Sequence, residues 1–154
     1  MSRLQDAGVA TFGMLCPIFP GVLEAQTLET LIDAVNPQAT ETFWAEPFND
    51  RVNWRNVRDG YPYGSTGYDW FTAVYEQGHK EVWSRYATSL YLRLRDKAAR
   101  EGWLDKLVYL LYESQIVERD ATLFAGLKEV SLQSEKDAHG LSRNPHMAVL
   151  QAGH

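Results

Sequence analysis

The 154-residue chain is 45% hydrophobic and 23% charged, a balance that folds around a core, and its length suits one domain. No stretch approaches the roughly 20 unbroken apolar residues of a membrane-spanning helix, and the first eight residues carry no secretory apolar block; a single cysteine excludes an intrachain disulfide and any zinc or iron–sulfur site built from several thiolates of this chain. The net charge of −5 is uneven: seven acids against Arg3 give −6 over residues 1–50, and fourteen bases against thirteen acids give +1 over the rest.

Residues 3–8 read as the last turn of a helix closed by Gly8, the position that favours positive φ. Residues 9–16 form a nearly continuous apolar run. Such a run predicts a strand buried on both faces of a parallel sheet, stopped by Pro17 and Pro20-Gly21. A helix follows over residues 23–35, with Leu28, Leu31, Ile32 and Val35 on one face and Asn36-Pro37 at its end. Thr42-Phe43-Trp44-Ala45 reads as a second strand ending at Glu46-Pro47, which completes a βαβ unit. Residues 48–67 carry turn signals throughout and read as a long aromatic loop. Residues 68–77 read as a short helix. The best-marked helix covers residues 80–100, with Val82, Trp83, Tyr86, Leu90, Leu94 and Ala98 as its apolar stripe and Gly102 as its stop. Residues 106–112 read as a strand, with a buried helix as the alternative. A helix at 118–126, a last strand at 129–133 and a polar, flexible tail at 134–154 complete the chain.

These elements predict a mixed α/β fold in one domain over residues 1–133. A barrel-like part spans 1–58 and a mostly helical region spans 68–133. The chain opens on the end of a helix and runs straight into a buried strand. We therefore expect it to be the trailing part of a larger architecture, with the outer edge of residues 9–16 left unpaired by its own sequence.

Few residues carry chemistry. His79, His139, His146 and His154 have no helical metal-pair spacing, so no metal site and no catalytic group is assigned. Cys16 sits at the carboxyl end of a predicted parallel strand, where α/β proteins place ligands, but cysteine is also among the most buried residue types. Glu46, Asn49, Asp50 and Arg51 follow the second strand. They either project as an acceptor and donor set for a ligand or partner, or are used up in an Asx turn and a Glu46–Arg51 pair. Trp54, Tyr61 and Tyr63, interleaved with Arg55, either stack a flat ligand or cover a thin core. The acidic first third is either a solvated face or a docking face for a basic partner, and the overall acidity disfavours nucleic acid as a direct partner.

The segment from Arg3-Leu4-Gln5-Asp6-Ala7-Gly8-Val9, through Pro17-Ile18-Phe19-Pro20-Gly21, to Glu46-Pro47-Phe48-Asn49-Asp50-Arg51 resembles the second half of radical S-adenosylmethionine proteins. Within that family it looks like the branch of spore photoproduct lyase and its DNA-repair-photolyase relatives. The resemblance covers residues 1–58, with Trp83-Ser84-Arg85-Tyr86 and Tyr109-Leu110-Leu111-Tyr112-Glu113 similar to the tail of such proteins. It implies a βαβ unit of a partial (β/α) barrel. In that family a CxxxCxxC loop holds a four-iron cluster, and this sequence has no such loop.

Three functions follow as expectations. The first is a non-catalytic, stand-alone remnant that binds another protein or a second copy of itself, as an inhibitor or accessory factor, phage- or mobile-element-borne in one version. The second is one half of a split radical enzyme acting on nucleic acid, with the cluster in another chain. The third is a small domain binding a nucleotide-like ligand. No cofactor is assigned, no membrane partner is expected, and a cytoplasmic location fits the single cysteine.

Overall fold

The computed structural model of the protein describes residues 2–23, 25–49, 52–111 and 115–125. Helix α1 (Ser2–Asp6) closes as the sequence predicts. Gly8 adopts φ +73°, its N–H bonds the Gln5 carbonyl at 2.9 Å, and the Val9 N–H bonds that of Leu4 at 3.0 Å. Strand β1 (Phe12–Ile18) then leads through a 3-10 turn (Pro20–Leu23) into α2 (Ala25–Val35). Strand β2 (Thr42–Pro47) lies parallel to β1, with Phe12 opposite Thr42, Gly13 opposite Phe43, Met14 opposite Trp44 and Leu15 opposite Ala45.

Beyond β2 come α3 (Trp54–Asp59), α4 (Thr66–Phe71), a π-helical stretch (Thr72–Glu76) and the long α5 (Lys80–Glu101). They return the chain to β3 (Leu107–Tyr109), parallel to β2, with Trp44 opposite Val108. The sheet order is β1-β2-β3. The last described helix is α6 (Glu118–Ala125). The fold is thus mixed α/β. Among the described residues no helix is long and apolar enough to cross a membrane.

Strand alternation divides the sheet into two sides. Phe43, Ala45, Leu107 and Tyr109 are buried together with Leu28 and Ile32 of α2 and with Tyr86, Leu90, Tyr91, Leu94 and Ala98 of α5. Both crossover helices therefore cover the same side, and the Lys97–Asp33 ion pair at 2.9 Å ties α5 to α2. Gly13 faces that side without a side chain for a steric reason. A Cβ there would lie 2.6 Å from Val35 Cγ1 and 2.8 Å from Phe43 Cδ2. Helix α6 docks on α5 through Ser84, whose hydroxyl donates to Asp120 at 2.7 Å and accepts the Val117 N–H at 3.1 Å.

Several expectations need correction. Strand β1 is not buried on both faces, because Phe12 and Met14 stand 63% and 65% exposed. Pro17 does not stop it. The missing N–H of proline is tolerated on an edge strand, and the strand runs on to Ile18 with a register shift after Leu15. Leu31, assigned to the apolar face of its helix, is exposed. The presumed loop at 48–67 contains α3, whose first residue, Trp54, is buried. Of residues 106–112, Leu107–Tyr109 form a strand and Tyr112 lies outside the described residues. The expected strand at 129–133 and the tail at 134–154 also lie outside them.

Candidate functional site

The side of the sheet away from α2 and α5 carries Phe12, Met14 and Cys16 from β1 and Thr42, Trp44 and Glu46 from β2. Phe12 and Met14 are exposed, whereas Cys16, Thr42, Trp44 and Glu46 are half-buried. Val108, across from Trp44, is buried, so exposure concentrates on β1. That strand is also the sheet edge, paired only with β2 among the described residues. Leu4 and Val9, just before it, are exposed as well. An apolar stripe therefore follows the free edge.

Cys16 and Glu46 meet at the carboxyl ends of their strands. Burial, and secondarily the Glu46 carboxylate, push the Cys16 thiol up to about 12. It stays a neutral thiol at physiological pH, which is the opposite of what a nucleophile needs. Burial also raises the Glu46 carboxyl above the usual carboxylate range. Burial disfavours the charged form of both groups, and the Glu46 charge further disfavours the thiolate, so the two make no activated pair.

A clamp from α5 holds the strand ends. The Tyr86 hydroxyl donates to the Ile18 carbonyl at the end of β1 and accepts the Phe48 N–H at 2.9 Å just after β2. Trp83 Nε1 donates to the Phe48 carbonyl at 2.9 Å. Burial pushes the Tyr86 phenol up, so it remains protonated and able to donate. Both residues read in sequence as members of an apolar stripe. Their polar tips are what join the helix to the sheet, and a Trp and a Tyr one turn apart on a buried face are the signal that pointed there.

The aromatic segment mainly covers a second small core. Phe48, Trp54 and Phe71 are buried, with Phe19, Val57, Tyr61, Trp70 and Tyr75 packed around them. Trp54 is stacked on Tyr75 with ring centroids 5.6 Å apart, and the Arg55 guanidinium lies 4.5 Å from its ring. Its faces are thus taken within the chain. Arg58 is engaged by Asp59 at 2.9 Å and Glu76 at 2.8 Å. Tyr61 is half-buried and packs over Gly67, where a Cβ would meet its ring at 2.3 Å. With Trp70, Pro20, Pro62, Ser65 and Thr66 it lines a shallow groove of about 510 Å³. Tyr63 is 89% exposed and touches Tyr68, ring centroids 5.0 Å apart.

Of the residues singled out from sequence, the structure brings Cys16 and Glu46 together. Asn49 is half-buried just beyond them, and Asp50 and Arg51 lie outside the described residues. Trp54, Arg55 and Tyr61 belong to the aromatic cluster instead, and Tyr63 stands apart at its rim. His79 is exposed at the start of α5, and the other three histidines lie outside the described residues. Among the described residues no group of three or more His, Cys, Asp and Glu side chains is placed to hold a metal ion. Comparisons with known protein families, curated proteins and solved structures find no match to this chain.

Proposed function

We propose that the chain works by contact: it docks a polypeptide, another protein or a second copy of itself, along the free edge of β1 and the adjoining open side of the sheet. The observation that carries this reading is the exposure of Phe12 and Met14 on an edge strand. Parallel sheets are stable when both sides are covered, and an unpaired edge is a template for strand addition. Covering two such side chains contributes about 1.5–3 kcal/mol each.

Sheet order and helix placement support a more specific version. Consecutive parallel strands with both crossover helices on one side have the layout of an arc of a (β/α) barrel, whose other side faces a closed interior. The resemblance to radical S-adenosylmethionine proteins points to the same arc. The docked polypeptide then supplies neighbouring strands. With no cluster cysteines in this sequence, radical chemistry falls to another chain, which this one either inhibits or assists. The same surface serves the split-enzyme version, in which the partner carries the cluster.

Size-exclusion chromatography with light scattering tests the reading on the protein purified from its source cell. Wild type should elute heavier than its 17.5 kDa monomer, with a second copy or another polypeptide, and Phe12→Asp/Met14→Asp should elute as the free monomer. A strictly monomeric wild type, or an assembly that the double substitution leaves intact, overturns it.

A further inference from the structure

The open side is apolar except at one point. Phe12, Met14, Cys16 and Trp44 offer carbon, sulfur and a ring, and Thr42 a neutral hydroxyl. Glu46, at the upper end of β2, is the one ionisable carboxyl on these two strands. It accepts no hydrogen bond and forms no ion pair among the described residues. Cys16 of β1 lies beside it on the open side, and Tyr86 of α5 and Tyr109 of β3, on the helix side of the sheet, also feel its charge. All three are neutral at physiological pH, so the chain sets no described cation against this carboxylate. In the free chain, water on the open side solvates it. A polypeptide laid over Phe12 and Met14 removes that water, and burying the carboxylate without a partner opposes docking.

We propose that the docked polypeptide is an extended, apolar segment that presents one cationic side chain, arginine or lysine, to Glu46. This inference rests on the docking function proposed above and adds the partner's chemistry. Apolar contact supplies the affinity, and the single charge pair fixes the register of the added strand. A slip by one residue would turn the cation to the wrong side and leave Glu46 unpaired. Arginine fits best, because its planar fork bonds a carboxylate through two parallel N–H groups.

Selection of a random linear-peptide phage library on the immobilised full chain tests this. We expect enriched peptides to alternate apolar residues with one fixed Arg or Lys. Their binding should vanish on Phe12→Asp/Met14→Asp and weaken about 30-fold on the near-isosteric Glu46→Gln. Circular dichroism of each variant establishes that it is folded. Peptides that need Phe12 and Met14 but carry no fixed cation, or bind Glu46→Gln equally well, overturn the cation while leaving the docking face standing. Peptides indifferent to Phe12 and Met14 overturn both. A cation selected only on Arg51→Gln would mean that the chain neutralises Glu46 from within, and also overturns the proposal.

Discussion

The two sides of the sheet come from alternate residues of the same strands, yet they are built on different terms. On the helix side the large side chains are closely packed, although the buried hydroxyls of Thr88 and Tyr91 have no hydrogen-bond partner among the described residues. Gly13 is a glycine because Val35 and Phe43 occupy the space of a side chain, and Tyr109, buried in the core, still donates its hydroxyl to the Ala87 carbonyl at 2.7 Å. On the open side Phe12 and Met14 touch water, Glu46 has no described partner, and Cys16 is held as a neutral thiol. The first side is covered by this chain, and on the second the proposed docked polypeptide would supply the missing neighbours. Apolar composition alone does not distinguish the two. What distinguishes them is whether the large side chains have found neighbours.

The widest gap between the sides should show in truncation. Leu90→Ala, on the covered side, should cost about 3–5 kcal/mol in urea unfolding, the sum of lost transfer energy and a cavity. Phe12→Ala, on the open side, should change stability by less than about 0.5 kcal/mol. A Phe12→Ala cost in the kcal range would mean that the open side is already covered in the isolated chain. A finer contrast lies within β1. Gly13→Ala should destabilise by about 1–3 kcal/mol by forcing a methyl into Val35 and Phe43, whereas Met14→Ala, the next residue, should be near neutral by the same assay. Equal effects at the two positions would break the comparison.

The smallest contrast is in pH dependence. The folded state holds the Glu46 proton more tightly than the unfolded chain does, so its contribution is full at low pH and is lost as pH rises from the ordinary carboxylate range through its raised folded value. Asp120 behaves oppositely. Burial raises its carboxyl, but hydrogen bonds from Arg119 and Ser84 and the nearby charges of Arg119 and Arg85 outweigh that and lower it overall. Its contribution is present above the ordinary carboxylate range and fades as pH falls through the lowered value. Thermal melts between pH 3 and 7, a range of about four units around the carboxylate pKa values, should therefore show Glu46→Gln gaining relative stability toward neutral pH. Asp120→Asn should lose its deficit toward acid. Parallel pH profiles for the two variants would contradict the environments described.

Much of this organisation was legible in the sequence. The βαβ unit, the long helix ended by Gly102 and the position of Glu46-Pro47 at a strand end follow from periodicity and punctuation, and local chemistry dominates there. The covered and uncovered sides of β1 did not follow. A run such as Thr11-Phe12-Gly13-Met14-Leu15 is apolar on both sides, and sequence cannot tell a face buried by its own chain from one kept apolar for another. The second core was half-legible. The aromatics of residues 54–75 were evident, but whether they pack on one another or await a flat ligand depends on Phe48 and the distant Phe19 joining them from beyond the ends of β2 and β1. The clamp by Trp83 and Tyr86 stayed hidden for a similar reason, since its acceptors are backbone groups of strand ends more than thirty residues away.

Site-specific photo-crosslinking in the source cell addresses the central claim most directly. A photoreactive phenylalanine analogue placed at position 12 reports on the open side, and the same analogue at position 63, still more exposed but on the aromatic rim, serves as control. The account predicts a discrete higher-mass adduct from position 12 alone, abolished by Met14→Asp. No adduct at position 12, or the same adduct from both positions, would contradict a docking face on β1.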